Sequence, residues 1–318
     1  MEELSWLLVF NPQSGGKPKQ QEKVLSRITK ALEQMRIRFD LLKTEGPGDA
    51  RTRVREAIVS GGRRKILVAG GDGTLHEVVN GIFDAEPKVN AQDVTLGCIP
   101  VGSGNDWVKT IDIPTDIEAA AKSLKLGNYF FQDVGLIEFE GAEGTEFRHF
   151  INIAGIGFDA EVVNTMQARV RKGKSPGSYH AHITKNLLKY KASPMRIFVD
   201  GELWEETSVF SIAAGICRYN GNGMLPLPDA IPDDGELDMT LIKAISPMQV
   251  VWHKGKLYDG SFTELPFIRQ VQGHTFRFES DVPVKVEADG ELLGHLPATI
   301  SLRHRNLRII STLKNRTE

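Results

Sequence analysis

The stretch Lys65-Ile66-Leu67-Val68-Ala69-Gly70-Gly71-Asp72-Gly73-Thr74-Leu75-His76-Glu77-Val78-Val79-Asn80-Gly81 decides the fold class. Lys65 to Ala69 is a short apolar run that predicts a buried strand. It ends abruptly at glycines, and Thr74 to Phe83 then has the spacing of a helix. Strand, glycine turn and helix in direct succession form half of a βαβ unit. The pattern repeats on both sides. Upstream, Trp6 to Phe10 predicts a strand that stops at Asn11-Pro12. Val24, Leu25, Ile28, Ala31, Leu32 and Met35 follow at helical spacing, and Ile37, Phe39 and Leu41 alternate as in a strand. Asp49 is positioned to cap a helix carrying Ala50, Val54, Ala57 and Ile58. Downstream, Thr95 to Val101 predicts another strand that runs into Gly102-Ser103-Gly104-Asn105-Asp106. A parallel sheet covered by helices is expected, with ligands bound beyond the C-terminal strand ends where these glycine loops lie.

After about Asn128 the texture changes. Short β-rich runs appear at Gln132 to Phe139, His149 to Ile153, Arg196 to Val199, Val209 to Ala213, Leu237 to Ile242, Phe276 to Phe278 and Val284 to Glu287. Turn residues separate them, which predicts a mainly antiparallel second domain. One helix is expected around Ser178 to Tyr190. The expected division is 1–129 for a nucleotide-binding α/β domain and 130–299 for a β domain that takes the substrate. The final strand, Asn306 to Ser311, lies in a segment of about 300–318 expected to return to the first domain.

With 318 residues, 41% hydrophobic and 25% charged, the chain has ordinary globular composition and length for about two domains. A net charge of -2 gives no general attraction to nucleic acid. The cysteines, Cys98 and Cys217, are far apart, which excludes a disulfide scaffold and the usual zinc spacings and fits a reducing compartment. The N-terminus is acidic where an export signal needs basic residues, and no apolar run reaches the roughly 20 residues of a membrane span. The expectation is a cytoplasmic protein that at most touches a membrane surface.

Three loops carry the chemistry: Asn11-Pro12-Gln13-Ser14-Gly15-Gly16, Gly70 to Thr74, and Gly102 to Asp106. Glycine lets backbone N–H groups approach an anion, and a helix N-terminus adds favourable dipole. Asp72 and Asp106 have the charge to hold Mg²⁺ on a phosphate rather than to touch the phosphate themselves. Together these loops describe a nucleoside triphosphate site. Each glycine pair alone is an ordinary turn signal. The GxxxxGK[ST] loop is absent, and His76 and Trp107 stand where a dinucleotide fingerprint needs a small residue. The catalytic-loop and metal-loop motifs of protein kinases are absent too.

The combination resembles the diacylglycerol kinase catalytic domain family. The resemblance runs through Asn11-Pro12-x-Ser14-Gly15, Gly70 to Gly81, Gly102 to Asp106, Asp133-Val134-Gly135, Asn152-x-x-Gly155-x-Gly157-Phe158-Asp159, Pro228-x-Ala230-x-x-Asp233-Asp234-Gly235-x-Leu237-Asp238 and Asp289-Gly290-Glu291. It therefore covers nearly the whole chain in order. His76 departs from a common Asn, Ser103 from a common Thr, and Trp107-Val108-Lys109 from a common Phe-Ala-Arg, without loss of a carboxylate or required glycine. The resemblance implies an N-terminal domain similar to phosphofructokinases and NAD kinases, a C-terminal β-sandwich, and ATP held between them. It also implies transfer of the γ-phosphate of ATP to a lipid hydroxyl, diacylglycerol giving phosphatidic acid.

On that resemblance, Asn11, Pro12, Gln13, Ser14, Gly15, Thr44, Gly71, Asp72, Gly73, Thr74, Leu75, His76, Glu77, Ser103 and Glu291 would contact the nucleotide. Asp72, Asp106 and Asp133 would form the acidic network around catalytic Mg²⁺. A structural Mg²⁺ would sit on Asp234 with the carbonyls of Ile231 and Glu236. The lipid hydroxyl needs a base. Asp200-Gly201-Glu202 and Asp289-Gly290-Glu291 share one local signature, which is also a plain hairpin signal, and spacing does not separate them. The resemblance selects Asp289 as base and leaves Asp200 a turn.

A lipid substrate implies contact with a membrane. Arg169, Arg171, Lys172 and Lys174, then Lys185, Lys189 and Lys191, interleave with Ile183, Leu187 and Tyr190. This stretch is either a basic interfacial element or a core-packed helix beside a solvated basic loop. His180, His182, His253, His274 and His295 show no metal-ligand spacing and are expected to be structural or solvated. Soluble bacterial relatives are often dimers, so a homodimer is an expectation. The rival functions are an NAD kinase, which shares the Gly-Gly-Asp-Gly-Thr loop but does not open with Asn-Pro-x-Ser-Gly, and a non-catalytic lipid-binding regulatory protein of the same fold.

Overall fold

The run Trp6–Phe10 is strand β1, buried along its whole length. Trp6, Leu8 and Phe10 share a core cluster with Ile28 and Leu32 of α1 (Pro18–Gln34) and Leu124 of α5 (Ile117–Leu126). Leu7 and Val9 alternate to the opposite face and are buried there as well. A strand buried on both faces reads as a continuous apolar run, as this one does. The computed structural model describes residues 5–13, 18–102, 104–171, 182–183 and 186–313.

The chain divides into Met1–Val134 with His304–Glu318, and Gly135–Arg303. In the first unit, β1 lies parallel between β2 (Phe39–Lys43) and β3 (Lys65–Gly70), and β3 pairs in parallel with β4 (Thr95–Pro100). Helices α2 (Asp49–Val59), α3 (Asp72–Phe83), α4 (Asp106–Thr110) and α5 connect them. α2 packs on α3, and α3 buries Val78, Val79 and Ile82 against the sheet. Gly48, in left-handed conformation at φ 81°, holds the cap position of α2 expected for Asp49. Asp49 lies inside the first turn and accepts the N–H of Glu45. α5 has a regular Asp116 cap and was not predicted from periodicity.

β5 (Tyr129–Gly141) begins in the first unit, continues into the second and pairs there with β6 (Gly144–Phe150). β7 (Ile153–Gly157), α6 (Phe158–Arg171), β8 (Ser193–Val199), β9 (Glu202–Gly215), β10 (Leu237–Lys243), α7 (Pro247–His253), β11 (Ile268–Gly273), β12 (Thr275–Glu279), β13 (Lys285–Ala288) and β14 (Glu291–Ile310) follow. The antiparallel character matches expectation, and the strands of the expected sandwich join into a barrel-like sheet. Pairing runs β7 to β9, β9 to β8, β8 to β12, β12 to β14, β14 to β13 and β13 back to β7, a closed circuit. Closure is possible because β9 and β14 are long, and each pairs with different neighbours along its length.

Two other expectations change. His149 to Ile153 is not one strand: β6 ends at Phe150 and β7 begins at Ile153. The expected strand at Asn306 to Ser311 is the tail of β14, where Arg308 and Ile309 pair in parallel with Thr95 and Leu96 of β4. The division between units falls inside β5 and β14, so no linker composition marks it. Residues 178–181 and 184–185 of the helix expected around Ser178 to Tyr190, with Lys172 and Lys174, lie outside the described residues, whereas 182–183 and 186–187 are helical.

Candidate active site

Parallel pairing aligns the C-terminal ends of β1, β3 and β4 in the first unit. Phe10 pairs with Ala69, and Gly70 with Pro100, so the loops that follow open from one sheet edge. Asn11 Nδ2 donates to Thr74 Oγ1 at 2.9 Å, and Asn11 Oδ1 accepts the N–H of Gln13 at 2.8 Å. The first bond joins the loop after β1 to the first turn of α3. Pro12 lies between them in that turn. Thr44, just past β2, is buried and donates its N–H to Phe10 O at 3.0 Å, which brings it to the same edge. Ser14, Gly15 and Ser103 lie outside the described residues.

Gly71 caps α3, followed by Asp72, Gly73 and Thr74 in its first turn. First-turn amides have no carbonyl partner within a helix, so this terminus is suited to an anion. A Cβ on Gly102 would stand 2.6 Å from the Cα of Gly71, so the second and third loops meet backbone to backbone. Asn105, at φ 50°, laces that contact. Its Oδ1 accepts the Gly102 N–H, its Nδ2 donates to Gly102 O, and its own N–H donates to Asp72 Oδ2 at 3.1 Å.

The next residues of α3 point elsewhere. Leu75 is in the core, and His76 is buried against Asn80. Glu77 accepts the N–H groups of Gly48 at 2.7 Å and Ala50 at 3.1 Å, so its carboxylate caps α2. Side-chain contact of these three with a nucleotide does not follow from the arrangement.

Asp72 and Asp106 converge on Gly104. A Cβ there would lie 3.0 Å from Asp72 Oδ2 and 3.7 Å from Asp106 Oδ2. Asp106 is buried and paired with Lys109 Nζ at 2.5 Å. Burial, with a smaller contribution from the Asp72 charge, pushes the Cys98 thiol on β4 far up. Asp133 has a different occupation. It is fully buried, and its Oδ1 accepts the Arg305 N–H at 2.6 Å and faces His304 Nδ1 at 2.8 Å, which fastens the returning tail of β14. Among the described residues no three His, Cys, Asp or Glu side chains form a metal cage. Asp72 and Asp106 fit the other arrangement, in which phosphate oxygens and water complete a Mg²⁺ shell begun by one or two carboxylates.

In the second unit Asp289 occupies the turn between β13 and β14 at φ 52°. Its Oδ1 accepts the Asn152 N–H at 3.0 Å and its Oδ2 the Ile151 N–H at 3.2 Å. These amides belong to the break between β6 and β7, which gives the break its physical reason. Asp200 has the same design: its Oδ1 accepts the His274 N–H at 2.9 Å and the Thr275 N–H at 2.8 Å. Surroundings separate the two. Asp200 has a side chain 46% exposed, whereas Asp289 is 9% exposed and stands among other carboxyl groups.

Sequence reading missed two of those groups, Glu287 and Asp159. A Cβ on Gly155 would lie 2.4 Å from Glu287 Oε1 and 3.0 Å from Asp159 Cβ, so the glycine admits both. Glu287 accepts the Gly290 N–H at 2.8 Å and thereby braces the Asp289 turn. Burial, then the Asp159 charge, with Asp289 and Glu291 contributing, holds Glu287 well above the usual carboxylate range. Burial raises Asp159 to about 6, against a hydrogen bond from Ser211. Asp159 carried the family motif, but a helix-start acid is an ordinary signal, and Glu287 lay in no motif. Glu291 accepts Gln167 Nε2 of α6 at 2.9 Å.

The acidic turn before β10 has an unmet need. Asp234 Oδ1 accepts the Glu236 N–H at 3.0 Å, and Asp238 Oδ2 is buried without a hydrogen-bond partner. Burial first, then the charge of Asp234, raises Asp238 to about 6. The buried, unpartnered Asp238 oxygen beside Asp234 fits a divalent cation. His182 is structural, buried against Thr165 Oγ1 at 3.2 Å.

Residues 5–137 match the diacylglycerol kinase catalytic domain, and residues 152–311 match the YegS C-terminal NAD kinase beta sandwich-like domain. The chain belongs to the diacylglycerol kinase family. A diacylglycerol kinase of Staphylococcus saprophyticus is 25% identical over 91% of this chain and 90% of its own. One from Staphylococcus aureus is 26% identical over 96% and 91%. The crystal structure of a diacylglycerol kinase from Bacillus anthracis superimposes at a TM-score of 0.72, with 25% identity and 98% of each chain covered. Yeast NADH kinase, at 14% identity and a TM-score of 0.55 over 98% of this chain and 84% of that one, shares the fold alone. Membership in this lipid kinase family makes the chain one of the kinases, and it fits the loop geometry after β1, β3 and β4.

Proposed function

We propose that the protein transfers the γ-phosphate of ATP to the hydroxyl of a membrane lipid, with diacylglycerol as acceptor and phosphatidic acid as product. The observation that carries this reading is the meeting of an anion-suited helix terminus, α3, with the paired carboxylates of Asp72 and Asp106 at Gly104. Such a site suits polyphosphate with Mg²⁺. Asn11, Gly71, Gly73 and Thr74 would bind the phosphates, and Asp72 and Asp106 would hold Mg²⁺, whose charge offsets that of the transferring group. Thr44 lies at the same edge for the nucleotide.

Asp289 would take the proton of the lipid hydroxyl as its oxygen bonds to phosphorus and the bond to the ADP oxygen breaks. The Ile151 and Asn152 amides hold both carboxylate oxygens in one orientation, and Glu287 steadies the turn from behind. A second Mg²⁺ at Asp234, with the Ile231 and Glu236 carbonyls, would relieve the buried Asp238 carboxyl and stabilise this unit. No helix among the described residues is long and apolar enough to cross a membrane, so the acceptor would be met at the bilayer surface.

The test is phosphate transfer from labelled ATP to diacylglycerol in phospholipid vesicles, with NAD offered in parallel and the product identified by mass. Phosphatidic acid that is absent for Asp289→Asn, with nucleotide binding retained, supports the reading. Phosphate on NAD would make the protein a nucleotide kinase, and transfer to neither would favour a non-catalytic role.

A further inference from the structure

Helix α7 reverses the usual polarity of a surface helix. Its side chain at Val250 turns inward, onto the cluster of Phe158, Val162, Leu187 and Phe210. Beside the polar Gln249, the residues it turns outward are apolar: Met248 is 73% exposed, Trp252 82%, and Val251 52%. A soluble surface helix ordinarily puts polar groups there. The helix is nonetheless well specified, because Ser246 and Gln249 form a complete capping box and Pro247 stands at its start. A fixed helix with an apolar outer face marks an interaction surface.

Charge identifies the occupant. From Lys243 to Lys256 the sequence contains no Asp or Glu, and Lys254 and Lys256 follow the helix directly. The segment that shares the inner cluster with α7, through Ile183, Leu187 and Tyr190, has the same character. No acidic residue occurs between Val162 and Val199, while Arg169, Lys189 and Lys191 are exposed and Leu188 beside them is 78% exposed. Lys243 is paired with Glu205 at 2.9 Å, but protruding apolar side chains with a terminal tryptophan, in stretches whose own sequence has cations and no acids, match the interface of an anionic phospholipid bilayer. A second copy of this chain would have to bring acidic partners and would bury the cations.

We infer that α7 is the membrane-inserting element of this protein, with Met248, Val251 and Trp252 entering the acyl boundary and Lys254, Lys189 and Arg169 meeting anionic headgroups. The inference rests on the lipid-acceptor reading and extends it to the docking surface. α6 gives the location its use. The helix begins at Asp159 beside Glu287, carries Gln167 bound to Glu291, and presents Val162 and Met166 to the cluster beneath α7. A bilayer held at α7 is thus held on the helix that flanks Asp289.

The experiment is cosedimentation of the full chain with vesicles of phosphatidylcholine containing phosphatidylglycerol, without ATP, and with pure phosphatidylcholine alongside. The parent should bind the mixed vesicles more tightly. Met248→Ser with Trp252→Ser should weaken that binding about tenfold or more. Met248→Leu with Trp252→Phe should restore most of it. Both double variants should keep the parent's thermal unfolding midpoint and its turnover of a short-chain, water-soluble diacylglycerol, since the altered side chains are exposed. Equal vesicle binding by parent and Ser variant, or no binding by the parent, overturns the inference. A Ser variant that loses only self-association overturns it too, and gives the face to a second copy. Vesicle binding that depends on Trp252 in a protein that phosphorylates no lipid would uphold the docking surface and reject the kinase reading.

Discussion

Asn11 Nδ2 reaches Thr74 Oγ1 at 2.9 Å, across sixty-three positions of sequence, and so locks the loop after β1 onto the first turn of α3. Thr74→Val keeps the shape and removes the acceptor. The expected result is a loss of about 1 kcal/mol of stability and weaker ATP binding, because Asn11 then keeps only its bond from the Gln13 N–H to orient it. Nucleotide titration with chemical denaturation checks it; unchanged affinity would assign the bond to packing alone.

Gly102→Ala places a methyl group 2.6 Å from the Gly71 Cα, a distance that only backbone movement relieves. It should cost about 1–3 kcal/mol and abolish tight nucleotide binding while the second unit stays folded. Gly46→Ala, where a Cβ would meet nothing within 4 Å, is the control that should leave both unchanged.

Asp289 and Asp200 each accept two backbone N–H groups, so their substitutions separate chemistry from turn formation. Asp289→Asn should lower lipid phosphorylation by about 10²–10⁴-fold. Asp200→Asn should lower stability modestly and leave turnover as it is. Activity loss that follows Asp200 instead would move the base to the other hairpin.

Asp159, raised to about 6 by burial, sets a pH window. Its folded-state value exceeds that of the unfolded chain, so the folded state holds the extra proton. The stability from the neutral form is complete below about pH 4 and is lost as pH rises through about 6, by an amount on the order of 3 kcal/mol. Glu287 acts in the same direction. Asp159→Asn should flatten the fall in unfolding midpoint between pH 4 and 6. A midpoint with an unaltered slope would show that Asp159 stays ionised.

Asp133→Ala leaves the Arg305 N–H without its buried acceptor. Stability should fall by about 1–3 kcal/mol, while the Mg²⁺ concentration needed for half-maximal turnover stays the same. A shifted Mg²⁺ requirement at constant stability would return Asp133 to the metal network with Asp72 and Asp106.

The sequence alone determined the alternation from β1 to β4, because each strand is a short apolar run that ends in glycine or Asn-Pro, and parallel order then puts Asn11, Gly71 and Gly102 at one edge. It also singled out Asp289, although only through a resemblance, since local pattern made Asp200 its equal. α5 buries Ile117, Ala120, Ala121 and Leu124, a stripe half made of alanine, α6 mixes valines with polar residues, and β11 reads Ile-Arg-Gln-Val-Gln-Gly, so none of the three carries a strong periodic signal. What only the tertiary structure decided depends on contacts between distant positions. Glu77 leaves the loop it follows to cap α2, Asp133 holds Arg305, and Gly155 makes room for Asp159 beside Glu287. A carboxylate is acidic in any sequence; whether it binds a metal, caps a helix or keeps its proton is set by the donors, charges and solvent that folding brings to it.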